Sequence, residues 1–268
     1  MSDHDLGKAE LEFVGGLAAP LFWVLERDDG NQMVKSGTVF FLDTGARLFA
    51  VTAAHVVTEC LNDTKSSQFV RAMIGANGGP ALTIHLGDRM IDGNQAIDIA
   101  TFEVTVEEVR SLRRVPVSGF QRAWPPPPAR VDHGVTLCGF PGKARRWLAP
   151  RQLGFGSTAI ACVVTNSHAA CISVQLERDR LLRVLGDTDL PEDYDFGGIS
   201  GGPVLAMVER GGLRGWTPVG VIFEGPNPTT DPTQAIQGLE IIRARPTSFI
   251  NTDGTLDIAR WQSEGQPV

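Results

Sequence analysis

The apolar runs of this chain are short, and turn residues are scattered between them. Thr38-Val39-Phe40-Phe41-Leu42 is rich in β-branched and aromatic side chains and ends at Asp43-Thr44-Gly45, after which residues 47–52 read as a return strand. The same grammar marks strand candidates at 21–25, 69–74, 81–85 and 97–104. It continues at 134–139, 156–164, 170–175, 203–207, 217–223 and 239–242. Thirty glycines and 17 prolines supply the punctuation between them. Helical periodicity shows only around 106–113 and near the C-terminus, where Pro246, Asn251 and Gly254 leave room for no more than a short helix. Many short strands separated by regular turn signals predict an all-β sandwich or barrel architecture.

The sharpest shift in composition is Trp124-Pro125-Pro126-Pro127-Pro128-Ala129. Consecutive prolines cannot donate to a β ladder and favour extended geometry, so this run reads as a stiff connector. At 268 residues the chain accommodates two β-rich domains, 14–120 and 131–250, joined by 121–130. A net charge of −7 argues against nucleic acid as a partner, because phosphate binding wants a basic surface. No apolar run approaches the roughly 20 residues that span a bilayer. The acidic start Met1-Ser2-Asp3-His4-Asp5 lacks the layout of a signal peptide, and Cys60, Cys138, Cys162 and Cys171 form no CxxC pair. The expectation is a reduced, cytoplasmic protein with no membrane partner.

The string Gly197-Gly198-Ile199-Ser200-Gly201-Gly202-Pro203-Val204 surrounds a serine with glycines, which let the backbone turn tightly and let amide N–H groups converge on an oxyanion. A serine nucleophile needs a base. All five histidines (His4, His55, His85, His133 and His168) precede Ser200, which excludes the α/β-hydrolase order. His55 follows a strand and two small residues, Ala53 and Ala54, that leave room around an imidazole. The acid that orients it is Asp98, set among apolar residues in Ala96-Ile97-Asp98-Ile99-Ala100; Asp92, before Gly93-Asn94, reads as a turn residue. Two members of this set precede the proline run and one follows it.

Val51-Thr52-Ala53-Ala54-His55, Asp98-Ile99-Ala100, Gly198-Ile199-Ser200-Gly201-Gly202-Pro203 and Cys138-Gly139-Phe140-Pro141-Gly142 together resemble the chymotrypsin/trypsin-like serine peptidases, in their prokaryotic, non-zymogen form. The resemblance implies two six-stranded antiparallel β-barrels with a catalytic triad of His55, Asp98 and Ser200 in the cleft between them. It implies an oxyanion hole from the backbone N–H groups of Gly198 and Ser200, a protein or peptide substrate, and no metal or organic cofactor. By the same resemblance Tyr194, Asp195, Phe223, Glu224 and Gly225 line the substrate pocket. Acids there would favour Arg or Lys in the substrate, or would simply face solvent.

Position 199 is Ile where animal digestive members carry Asp, so Phe13-Val14-Gly15-Gly16 is not an activation N-terminus. That leaves open whether the oxyanion loop is preformed or waits for an activating protein partner. Cys162 and Cys171 either face each other across a hairpin or remain reduced. Asp43-Thr44-Gly45-Ala46 also resembles an aspartic-peptidase string, but no second copy supplies the paired carboxylate. The rival from another class is a peptidase-like binding or regulatory module without turnover. Lys143-Ala144-Arg145-Arg146 reads as solvated surface or as a contact for an acidic partner.

Overall fold

A computed structural model describes residues 3–118, 124–149, 152–176, 195–226 and 240–265. Strands β1 (Ala18–Glu26) and β2 (Gln32–Asp43) pair antiparallel, from Ala18 opposite Phe40 to Glu26 opposite Gln32. β1 is buried at every position from Ala18 to Leu25, which explains why its sequence reads as a continuous apolar run without alternation. Ala19, Leu21, Trp23 and Leu25 face one core together with Phe41, Ala50, Ile74 and Phe102. Phe22 and Val24 pack on the opposite face against Val34 and Met73.

The N-terminal sheet is completed by β3 (Leu48–Thr52), β4 (Phe69–Ile74), β5 (Leu82–Ile84), β6 (Met90–Asn94), β7 (Ile99–Glu103) and β8 (Val117–Ser118). The order is β5-β4-β1-β2-β3-β7-β6, with β8 parallel to β2. This corrects the expected first barrel: the sheet has eight strands, includes a parallel pair and does not close among the described residues. Helices substitute for closure on one side. Val56 and Cys60 of α2 (Ala54–Asp63) and Val109 of α4 (Val106–Ser111) fill the core beneath the sheet. At the β7–β6 edge the C-terminal segment takes over. Thr101 Oγ1 donates to the Gly254 carbonyl at 2.6 Å, and the Leu256 N–H donates to Asp92 Oδ2 at 2.8 Å.

The C-terminal half is the closed, six-stranded, all-antiparallel barrel that was expected. It is built from β9 (Gly134–Gly139), β12 (Thr158–His168), β13 (Cys171–Leu176), β14 (Pro203–Arg210), β15 (Leu213–Glu224) and β16 (Glu240–Pro246). Between β9 and β12, β10 (Arg145–Ala149) and β11 (Gln152–Phe155) form a separate hairpin, with Phe155 against Phe22 at 4.7 Å. Phe40, Phe49 and Val51 of the sheet share a third core with Cys138, Phe140, Leu205 and Val221 of the barrel.

All 12 anticipated strands form. β6, β8, β10 and β11 were not anticipated, nor were helices α1 (Asp3–Gly15), α2 and the single turn α3 (Leu86–Arg89). Tertiary pairing creates these strands: Asp92-Gly93-Asn94 has turn chemistry, yet Gly93 lies opposite Ala100. The short C-terminal helix is α5 (Ile258–Glu264). Cys162 and Cys171 do not meet: Cys162 pairs with Val135 on β9, and Cys171 lies opposite His168. All four cysteines are free. No helix among the described residues is long and apolar enough to cross a membrane.

Candidate active site

His55 stands in the first turn of α2, directly after β3. Ala53 and Ala54 beside it are buried and small, so the helix starts close against the sheet. The Asp98 carboxylate meets His55 at two points. Oδ2 lies 2.8 Å from Nδ1, and Oδ1 accepts the His55 backbone N–H at 2.9 Å. With the Nδ1 proton directed at the carboxylate, Nε2 is left as the acceptor. The aspartate side chain is 15% exposed and the histidine 43%, so the acid is the shielded partner. The hydrogen bond to Asp98 raises the His55 pKa above its ordinary value, against the opposing effect of burial.

Asp98 does not lie in a strand, as the 97–104 run suggested. It occupies the turn before β7 with φ of 58°, a left-handed conformation that Asp tolerates better than most side chains. Asn94 builds the turn. Its Oδ1 accepts the N–H groups of Ala96 and Ile97, each at 2.9 Å, and its carbonyl accepts the Asp98 N–H at 2.8 Å. Asp92 is committed elsewhere, to the N–H groups of Gly93 and Leu256.

In the loop 197–202, four backbone N–H groups have acceptors. Gly197 donates to Asp195 Oδ1 at 2.7 Å, Ile199 to the Phe196 carbonyl at 3.1 Å, Gly201 to Ile222 at 2.7 Å and Gly202 to Ile199 at 2.9 Å. The N–H groups of Gly198 and Ser200 have none among the described residues. Their orientation follows from peptide planarity, since N–H and C=O of one unit point in opposite directions. The Gly197 carbonyl accepts from the Gly142 N–H at 2.7 Å and the Ile199 carbonyl from Gly202. Both free N–H groups are thereby turned to the other side.

Thr38 of β2 fastens this loop. Its hydroxyl donates to the Gly198 carbonyl at 2.8 Å and accepts the Phe140 N–H at 2.9 Å, while its own N–H donates to the Ser200 carbonyl at 2.8 Å. Ile199 is buried at 5% exposure against Gly139, so an apolar contact stands where an ion pair would need a carboxylate. Gly201 shows how closely the loop lies to the histidine. With φ of 88°, an added Cβ would sit 2.1 Å from the Thr38 carbonyl and 3.0 Å from the Ala53 nitrogen. The structure therefore brings His55 and Asp98 into direct contact and lays the serine loop against the β3–α2 junction. The half-buried Ser200 makes no side-chain hydrogen bond among the described residues.

Of the anticipated pocket residues, Tyr194 lies outside the described residues. Asp195 is exposed and caps Gly197. The Phe223 ring lies under the Arg245 guanidinium at 4.1 Å. Both Glu224 oxygens accept from Arg243 at 2.9 Å, and Gly225 approaches Ile199. Asp43-Thr44-Gly45 is the β2–β3 turn, with Gly45 at φ of 85°. Sequence reading missed Thr38, Asn94, Gly142 and Arg245. The available signals were a threonine beside Gly37 inside an apolar strand, and an arginine enclosed by Ala244 and Pro246.

No protein-family model matches the chain, and no curated protein matches it. Among solved structures it is similar to a thermostable serine protease AL20 from an extremophilic microorganism, at 12% identity and a TM-score of 0.49, over 93% of this chain and 94% of that one. Similarity at this level assigns neither family nor activity.

Proposed function

We propose that this chain is a serine endopeptidase of the chymotrypsin/trypsin-like type, cleaving protein or peptide substrates through an acyl-enzyme on Ser200. The supporting observation is the backbone pattern of 197–202, in which the Gly198 and Ser200 N–H groups are the ones without acceptors among the described residues, beside a histidine held at Nδ1 by a carboxylate. In this reading the Ser200 hydroxyl attacks the scissile carbonyl and passes its proton to His55 Nε2. The Gly198 and Ser200 N–H groups receive the oxyanion. His55 then protonates the leaving amine, and water admitted to the site releases the acyl group by the same route. Asp98 keeps the imidazole in the tautomer that can accept. The carbonyls behind the two N–H groups are already tied, which supports a preformed hole over one that waits for an activating partner. A preference for Arg or Lys gains nothing from Glu224, whose charge is matched by Arg243.

A binding module without turnover is the second reading, and the Ser200 hydroxyl without a bond to His55 favours it. Catalytic hydrogen bonds are often open in a free enzyme and tighten on substrate, which fits the first reading equally. A fluorophosphonate probe followed by intact mass separates the two. A single adduct on the wild type, absent from Ser200→Ala and His55→Ala, is the expected result. Asp98→Asn should slow labelling by about 10⁴. A folded wild type that takes no adduct would overturn the peptidase reading and leave the module.

A further inference from the structure

Arg245 projects from β16, in the half of the molecule that carries Ser200, yet it reaches the turn that carries Asp98. Its Nε donates to the Ile97 carbonyl at 2.7 Å, and Nη2 lies 3.5 Å from the Ala96 carbonyl. Nη1 donates to the Ala170 carbonyl, in the β12–β13 turn, at 2.8 Å. The guanidinium rests on the Phe223 ring at 4.1 Å and on the Trp261 ring of α5 at 4.9 Å. A rigid planar fork with donors on several edges suits such a site, and an ammonium does not.

The peptide unit between Ile97 and Asp98 is thus pinned at both ends. Its carbonyl is held by Arg245, and its N–H by the Asn94 carbonyl. This matters because Asp98 has a positive φ, a strained conformation that persists only where its surroundings over-determine it. Among the described residues, the titratable groups that face the guanidinium are the Asp98 and Glu224 carboxylates and the neutral Cys171 thiol, and Glu59, one turn along α2, acts on His55.

We propose that Arg245 is a positioning residue for the catalytic acid: by gripping the carbonyls of Ala96 and Ile97 it holds the turn in which Asp98 presents its carboxylate to His55. The role rests on the peptidase reading above. It also makes the Ser200-bearing half a contributor to the geometry of the His55–Asp98 pair, so the triad is assembled from both sides of the cleft.

The test uses the full chain and two readouts. One is the low-field proton resonance of His55 Nδ1–H, with its pH titration; the other is the rate of fluorophosphonate labelling. Arg245→Lys retains the charge but cannot span the Ile97 and Ala170 carbonyls. In it the resonance should weaken, the His55 midpoint should fall toward 6.5, and labelling should slow by about 10². Arg245→Met should lose the resonance. Trp261→Leu, which removes one supporting ring without touching the pair, should shift the same signals in the same direction by less. It stands as the test if the Arg245 variants do not fold. A folded Arg245→Lys, or failing that a folded Trp261→Leu, with unchanged resonance and midpoint would overturn the proposal. A wild type that shows the resonance but takes no label would defeat the peptidase reading while leaving the positioning of Asp98 measurable.

Discussion

At the scale of single residues, the His55–Asp98 contact determines how the site responds to pH. The carboxylate stabilises the imidazolium and raises the His55 pKa above 6.5, with burial working against it. A raised folded-state pKa means that the stabilisation from this pair is fully present below about 6.5 and is lost as pH climbs through the folded value. Reactivity runs the other way, because a general base must be neutral. Labelling of Ser200 is therefore expected to rise with pH through a midpoint above 6.5, and Asp98→Asn to bring that midpoint down. A midpoint at or below 6.5 in the wild type would show that the carboxylate does not control the imidazole in solution.

At the scale of elements, β2 is more than a core strand. Thr38 is fully buried, and its hydroxyl bridges the Phe140 N–H and the Gly198 carbonyl, while its N–H takes the Ser200 carbonyl. One residue of the N-terminal sheet thereby joins Phe140, the residue after β9, to the serine loop. Thr38→Val keeps the shape but strands the buried Phe140 N–H and the half-buried Gly198 carbonyl. It is expected to destabilise the protein by about 1–3 kcal/mol per orphaned group. It should also slow labelling by about 10² as the loop loosens. Thr38→Ser should recover most of both effects. Chemical denaturation beside labelling kinetics checks this, and equal behaviour of the Val and Ser variants would remove the hydroxyl from the account.

At the scale of the whole molecule, the two β halves are joined by a shared apolar core and by a C-terminal segment that returns to the first sheet. Phe40 is fully buried in that shared core among Val51, Phe140, Leu205 and Val221. Phe40→Ala should cost about 3–5 kcal/mol and lower the melting temperature of both halves together. Calorimetry and near-ultraviolet circular dichroism should report one coincident transition in wild type and variant alike. Two separated transitions would mean that the halves are independent, and that the triad is held by weaker contacts than this core suggests.

Much of this was legible from residue order, because strand periodicity and turn chemistry are local properties. The 12 anticipated strands and the β2–β3 turn follow from neighbouring residues, as does the singling out of His55 and Asp98, two side chains that the fold brings into contact. What was not legible depends on partners far away in the chain. β6 exists because β7 pairs with it, and the first sheet stays open because helices and the C-terminal segment cover what another strand would have closed. Ile199 removed one way of holding the serine loop, yet no local pattern announced Thr38, 160 positions before the Gly198 carbonyl that it binds. Nor did any announce Arg245, 148 positions after the carbonyl of Ile97. Local residue order dictates the 12 anticipated strands and the side-chain chemistry they can carry. Which buried donors meet which orphan carbonyls is settled by long-range packing, because a buried polar group must be satisfied by whatever the fold brings within reach.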